Sequence, residues 1–180
     1  MSLYEAFGEV EDNRKRSGLR HELQPFLTMI TLGIMSGYNG YQELAVFLKS
    51  NEEKFISLFG LKHGVPKYTQ IRTILSTLNY DSLYINFENW TKGYVEIEQG
   101  DWVSGDGKGL NSTVTNCHNS KQNYVAMVSL FLQKLGVVLS VNKYETGKSG
   151  EGAALRTLLE SIENVGVVIT LDALHCQKKQ

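Results

Sequence analysis

The sequence is short of cysteine and of net charge, and it holds no long apolar run. Each shortage removes a class of protein. The 2 cysteines, Cys117 and Cys176, form neither a metal-finger spacing nor a disulfide framework, the pattern of a reduced chain. Lys+Arg of 18 against Asp+Glu of 19 leaves a net charge of −1 over 180 residues. That excludes a highly basic nucleic-acid coat protein and still leaves room for a local basic patch. The longest apolar stretch, residues 26–35, is about half a membrane span. Thr28, Thr31 and Gly33 interrupt it, so neither a membrane segment nor a membrane partner is expected. The first turns of sequence have no apolar core followed by small residues, so no secretory leader and a cytoplasmic location are expected. Asn111-Ser112-Thr113 matches a glycosylation sequon, which means nothing without a secretory route. There is no internal repeat and no low-complexity tract.

What is present is a hydrophobic fraction of 42%, enough for a packed core. Its period changes near residue 96. Before that point apolar residues step by three and four, the spacing of one helix face. Leu23, Phe26, Leu27 and Ile30 form one stripe, and Leu44 and Leu48 another. Ile71, Ile74, Leu75 and Leu78 form a third, and Leu83, Phe87, Trp90 and Tyr94 a fourth, for which core packing is expected. Gly37, Gly40, Gly60, Gly64 and Pro66 punctuate them. Residues 1–95 therefore read as a helical domain of four or five helices.

Residues 96–180 read differently. Strands are expected at 102–108, 124–132 and 137–144, with a turn at 133–136 that makes the second and third antiparallel. A glycine-rich loop leads into a helix with Leu155, Leu158, Leu159 and Ile162 on one face. The continuous apolar run 165–171 has the character of a strand buried on both faces. The overall class is α+β. The order strand-strand-strand-helix-strand fits an α/β domain of the ribonuclease-H kind, with its first and fourth strands side by side.

That arrangement brings two carboxylates into question. Asp106 lies in the first strand between Gly105 and Gly107, and Asp172 ends the fourth. Ligands of open α/β sheets bind beyond the carboxyl ends of strands. A carboxylate there needs a partner or a metal. Paired carboxylates suit Mg²⁺, and small glycines beside Asp106 would admit a close approach. A strand-end cap is the plainer alternative.

Other motifs are weaker. Gly107-Lys108-Gly109 fails the Walker spacing, although Lys108 remains a candidate for holding a phosphate. Cys117-His118 and His175-Cys176 do not make a compact zinc site. Arg14, Lys15, Arg16 and Arg20 form the dense basic cluster, suited to DNA phosphates, with Glu9, Glu11 and Asp12 diluting it. Arg72 should point away from the apolar face of its helix, so Thr69, Gln70, Arg72 and Thr73 could face DNA. Ten basic and ten acidic residues through position 95 give no global basic excess.

The segments VSGDGKG (103–109), KSGE (148–151) and GVVITLDALHCQ (166–177) together resemble DDE-type insertion-sequence transposases, most closely the H-repeat-associated protein family. DNRKRSGLRHEL (12–23), residues 39–60 and VPKYTQIRTIL (65–75) resemble that family's helical N-terminal region in order and spacing. The resemblance implies a helical transposase-associated domain followed by a DDE catalytic domain. It implies Asp106 and Asp172 as the first two acidic residues of a catalytic triad holding Mg²⁺ or Mn²⁺ for phosphodiester cleavage and strand transfer. It implies DNA element ends as partner, with a homo-oligomer or a full-length transposase as a further one. The family's third acidic residue, a glutamate, lies well downstream of the second. Here the eight residues after Asp172, ALHCQKKQ, include no acid. The expectation is a catalytic domain cut short and inactive alone. The alternative is a non-catalytic DNA-binding or self-associating fragment, acting as a transposition inhibitor or left as a decaying remnant.

Overall fold

A computed structural model describes residues 1–15, 19–110, 113–114, 124–146, 150–160, 162 and 166–171. The chain divides into two compact units, Met1–Gly93 and Tyr94–Gln180. The whole is α+β, helices plus a small mixed sheet. No helix among the described residues is long and apolar enough to cross a membrane.

The first unit holds six helices among its described residues, not four or five: α1 (Leu3–Gly8), α2 (Leu23–Met35), α3 (Tyr41–Ser50), α4 (Glu52–Phe59), α5 (Tyr68–Thr77) and α6 (Tyr80–Lys92). The extra helix is α1, short but closed by a capping box. The Ser2 hydroxyl accepts from the Glu5 amide, and the Glu5 carboxylate accepts from the Ser2 amide. Region 39–60 is two helices, because the chain turns at Asn51 and ends α4 on Gly60 in the left-handed conformation at φ 64°. Pro25 sits in the first turn of α2, where an amide has no intrahelical acceptor to lose.

The core of this unit gathers Phe7, Phe26, Met29, Leu48, Phe55 and Ile71. Helices α2 and α3 approach closely at Gly33, where a Cβ would stand 2.6 Å from Leu44 Cδ2 and 3.1 Å from Phe47 Cδ1. The stripe on α6 is not the core face expected of it. No residue of α6 is buried, and Tyr94, just beyond it, is 63% exposed. Polar bonds help hold α6: the Glu11 amide donates to Ser82 Oγ at 2.9 Å, Asn79 Nδ2 donates to Glu11 Oε2 at 2.7 Å, and Asn86 Nδ2 donates to the Glu9 carbonyl at 3.1 Å. Hydrogen bonding between separate segments shares the anchoring of α6 with Leu83, which is partly buried against the core.

The second unit is a four-stranded sheet, β1 (Trp102–Gly109), β2 (Val125–Leu132), β3 (Val137–Glu145) and β4 (Val168–Leu171), with α7 (Glu151–Glu160) on one face. The order is β3-β2-β1-β4. β2 pairs antiparallel with both neighbours, and β4 runs parallel to β1, as the connections require. β4 departs from expectation by starting later and by being half-open. Val168 is 40% and Ile169 42% exposed, because among the described residues β4 is the sheet's last strand and so lacks a neighbour on its far side.

Side chains alternate across β1. Val103 and the places a Cβ would take at Gly105, Gly107 and Gly109 all lie on the α7 face. A Cβ on Gly105 would stand 2.7 Å from Leu171 Cδ2 and 3.0 Å from Leu155 Cδ1; one on Gly107 would meet the Glu151 carboxyl carbon at 2.6 Å; one on Gly109 would meet the Tyr124 ring at 3.0 Å. The glycines beside Asp106 thus admit the chain's own side chains, and they let α7 seat its Ala154, Leu155 and Leu158 against the sheet. Substituting Gly105→Val is expected to overpack this layer and cost about 1–3 kcal/mol, seen as a lower thermal midpoint by circular dichroism.

Candidate functional site

Two places hold the residues singled out by sequence, one in each unit. The first is the face of β1 opposite α7. By alternation Ser104, Asp106 and Lys108 share that face. Ser104 Oγ and Thr170 Oγ1 are 2.8 Å apart across the parallel pair, and Gln133 Nε2 donates to Ser104 Oγ at 2.6 Å. Asp106 and Lys108 lie beyond this polar row, both exposed. The parallel register runs Trp102↔Val168, Val103↔Ile169, Ser104↔Thr170 and Gly105↔Leu171. It ends one residue before Asp106 on β1. Asp172, next in sequence after Leu171, lies outside the described residues, as do Cys117, His118, Lys148, His175 and Cys176.

Glu151 does not join Asp106. Its carboxyl packs over Gly107 on the α7 face, whereas Asp106 projects from the other. It stands instead near Tyr144, whose phenol is pushed up, first by burial and then by the negative charge of Glu151. Among the described residues no group of three or more His, Cys, Asp or Glu is arranged to hold a metal. The oxygen-rich face around Ser104, Thr170 and Asp106 fits a hard cation better than a soft one.

The second place is the basic segment ahead of α2. Arg14 does not lie free on a turn. Its Nε donates to Asp12 Oδ1 at 2.8 Å and its Nη2 to Asp12 Oδ2 at 2.7 Å, a bidentate pair. Nη2 also donates to the His21 carbonyl at 2.9 Å, and the side chain is only 10% exposed. The Arg14 hydrogen bonds hold the Asp12 carboxyl below its usual range. His21, 7% exposed, is held below the ordinary histidine range by burial first and then by the charge of Arg20. Lys15 and Arg20 are exposed beside them, and Arg72 is exposed on α5 as its stripe requires. Arg16 lies outside the described residues. The fold brings Arg14, Lys15 and Arg20 together with Thr69, Gln70 and Thr73 around one cavity. The residue that sequence reasoning missed is His21. A histidine between an arginine and a glutamate looks like surface, and nothing in the local pattern marks it as buried.

Comparison with known proteins bears first on the helical unit. Residues 4–91, just under half of the chain, match the family described as DDE_Tnp_1-associated, and with the relatives that follow this match supports a DDE transposase-associated protein. Over 179 residues it is 28% identical to "Putative transposase YncI" of Escherichia coli O157:H7, an alignment covering 98% of this chain and 45% of that protein. It is 24% identical over 177 residues to "H repeat-associated putative transposase YhhI" of Escherichia coli strain K12, covering 98% and 46%. It is equally similar to "H repeat-associated putative transposase YbfD" of the same strain, covering 98% and 68%. The chain spans about half the length of YncI from O157:H7 and of YhhI.

Acid should weaken the helical unit in two stages. The folded values of His21 and Asp12 both lie below their ordinary ones, so the stability they contribute is complete above the ordinary range and is lost as pH falls. His21 begins to cost stability below about pH 6.5, and Asp12 below about pH 3.9. Thermal midpoints measured against pH should show the upper stage in the native chain and lose it in His21→Leu. Asp12→Asn should lower the midpoint even at neutral pH, by about 2 kcal/mol of stability, because it strips a charged acceptor from a nearly buried guanidinium.

Proposed function

We propose that this chain is a transposase-family protein acting on DNA, and that Asp106 and Asp172 are two carboxylates of a ribonuclease-H-like metal site in its second unit. The observation that carries the reading is the parallel register of β1 and β4. It is described as far as Gly105↔Leu171, and in sequence an aspartate follows each of these two residues. Two carboxylates following a shared register, with the Ser104 and Thr170 hydroxyls on the Asp106 face, would suit Mg²⁺ or Mn²⁺. A divalent ion held there would supply Lewis-acid stabilisation for phosphodiester cleavage and strand transfer. The chain's own part is to orient the carboxylates from paired strands and to offer Lys108, on the Asp106 face, to a neighbouring phosphate. The DNA would be the ends of the mobile element, met by a homo-oligomer or together with a full-length transposase.

A second reading has one observation in its favour. Glu151 occupies the opposite face of the sheet from Asp106, so it does not serve as a third carboxylate. On this reading the 180-residue chain binds DNA or itself without cutting, and acts as a transposition inhibitor or persists as a remnant.

Metal affinity and cleavage separate the two readings. Manganese binding followed by electron paramagnetic resonance should weaken by about tenfold or more in Asp106→Asn and in Asp172→Asn, each removing one charged ligand. Unchanged affinity in both variants would refute the shared site. Mg²⁺-dependent nicking of a plasmid by the native chain, abolished in Asp106→Asn, would refute the non-cleaving reading.

A further inference from the structure

The cavity between residues 13–15 and 20–21 on one side and α5 on the other has a volume of about 450 Å³ and lies wholly within the helical unit. Its lining carries three permanent cations, Arg14, Lys15 and Arg20, and no carboxylate among the described residues. Asp12, which neutralises part of the Arg14 charge, is not among the residues that line it. On the facing wall Thr69, Thr73 and Thr77 repeat every four residues along α5, so their side chains follow one another on the same helix face.

Two of its lining residues also carry buried polar atoms. Arg14 Nη1 and His21 Nε2 are both buried, and neither has a hydrogen-bond partner among the described residues. The rest of the guanidinium is committed: Nε and Nη2 are spent on Asp12 and on the His21 carbonyl, which fixes the plane of the group. A buried donor left unpaired costs about 1–3 kcal/mol, more when charged, so Arg14 is held in place at a cost and not free to fold away from the cavity it lines. An anion with several oxygens satisfies a guanidinium edge and nearby hydroxyls together.

We propose that this cavity is a phosphate-binding site that holds one backbone phosphodiester of DNA. The preference for an anionic, multiply accepting group comes from the cavity; the choice of DNA among phosphates rests on the transposase reading above. Arg72 supports a polymer over a free ion. It is exposed on α5, one residue before Thr73, and is not among the residues that line the cavity, so it extends the basic surface beyond the volume one phosphate fills. The contact is sequence-independent and positions the helical unit on the duplex.

The test is fluorescence anisotropy of a labelled DNA duplex with the full chain in EDTA, so that metal chemistry plays no part. Thr73→Glu places a carboxylate in the cavity mouth, and Arg20→Gln removes a rim cation; both positions are exposed, and circular dichroism checks the fold. Each is expected to weaken binding by about tenfold and to lower the slope of log affinity against log salt by about 0.9. Lys54→Gln, the same change of charge as Thr73→Glu but on α4, should leave both quantities within error. No DNA binding by the native chain, or equal affinity in Thr73→Glu, Arg20→Gln and Lys54→Gln, would overturn the proposal. So would inorganic phosphate protecting the native chain against heat while the cavity variants bind DNA normally, which would mark a site for the free ion. Because binding is read without metal and nicking with it, the cavity and the carboxylate site fail or stand separately.

Discussion

Everything placed at the candidate catalytic face depends on one pairing, the four-residue parallel ladder between Trp102–Gly105 and Val168–Leu171. It joins positions 66 residues apart, as the Ser104–Thr170 contact shows. Parallel strands need a long crossover, and here α7 supplies much of it. The ladder is secured from both sides. Val103 is fully buried beneath α7, while on the open face the Ser104 and Thr170 hydroxyls bond directly. Gly105 lets Leu155 and Leu171 close over the strand. Without any of these, Gly105 and Leu171 lose their fixed relation to each other.

The helical unit rests on a different kind of constraint. Its basic segment is not an open patch of charge. Asp12 and the His21 carbonyl bind one edge of Arg14, and that commitment fixes the plane of a side chain that lines the cavity. A side chain fixed by folding loses little freedom when it meets a ligand, which a set of solvated lysines would not offer. The cluster noticed as four nearby charges is therefore three groups of distinct standing: one nearly buried and oriented, Lys15 and Arg20 exposed at the rim, and Arg16 beyond description.

Much of this was legible in the sequence because period carries it. Runs of strand formers at 124–132 and 137–144, joined by a short turn, dictate the antiparallel pair, and the helix ahead of the last apolar run dictates the crossover. The misreadings have physical causes. α1 depends on a local cap and has too few residues to show a period. The 39–60 region carries one continuous stripe across what a turn at Asn51 makes two helices. α6 has an apolar stripe that the fold leaves half-exposed, since polar bonds to residues 9–11 anchor it. The glycines around Asp106 announced a close approach but not by what, because their partners come from α7 and β4. The cavity was beyond sequence for the same reason. Its two walls are some fifty residues apart, and the burial of His21 is a property of the assembled walls.

The long span between β1 and β4 also sets an order of events during synthesis. β1 can pair with β2 as soon as the hairpin side of the sheet has emerged, but its other edge must wait for residue 171. At about 5–20 residues per second that interval is about 3–13 s. For those seconds the nascent chain presents an unpaired strand edge, the usual template for mispairing between polypeptides. Asp106 and Lys108 stand on that same strand, exposed and of opposite sign. The residues singled out for chemistry thus also discourage the growing chain from joining a neighbour's sheet before its own last strand arrives.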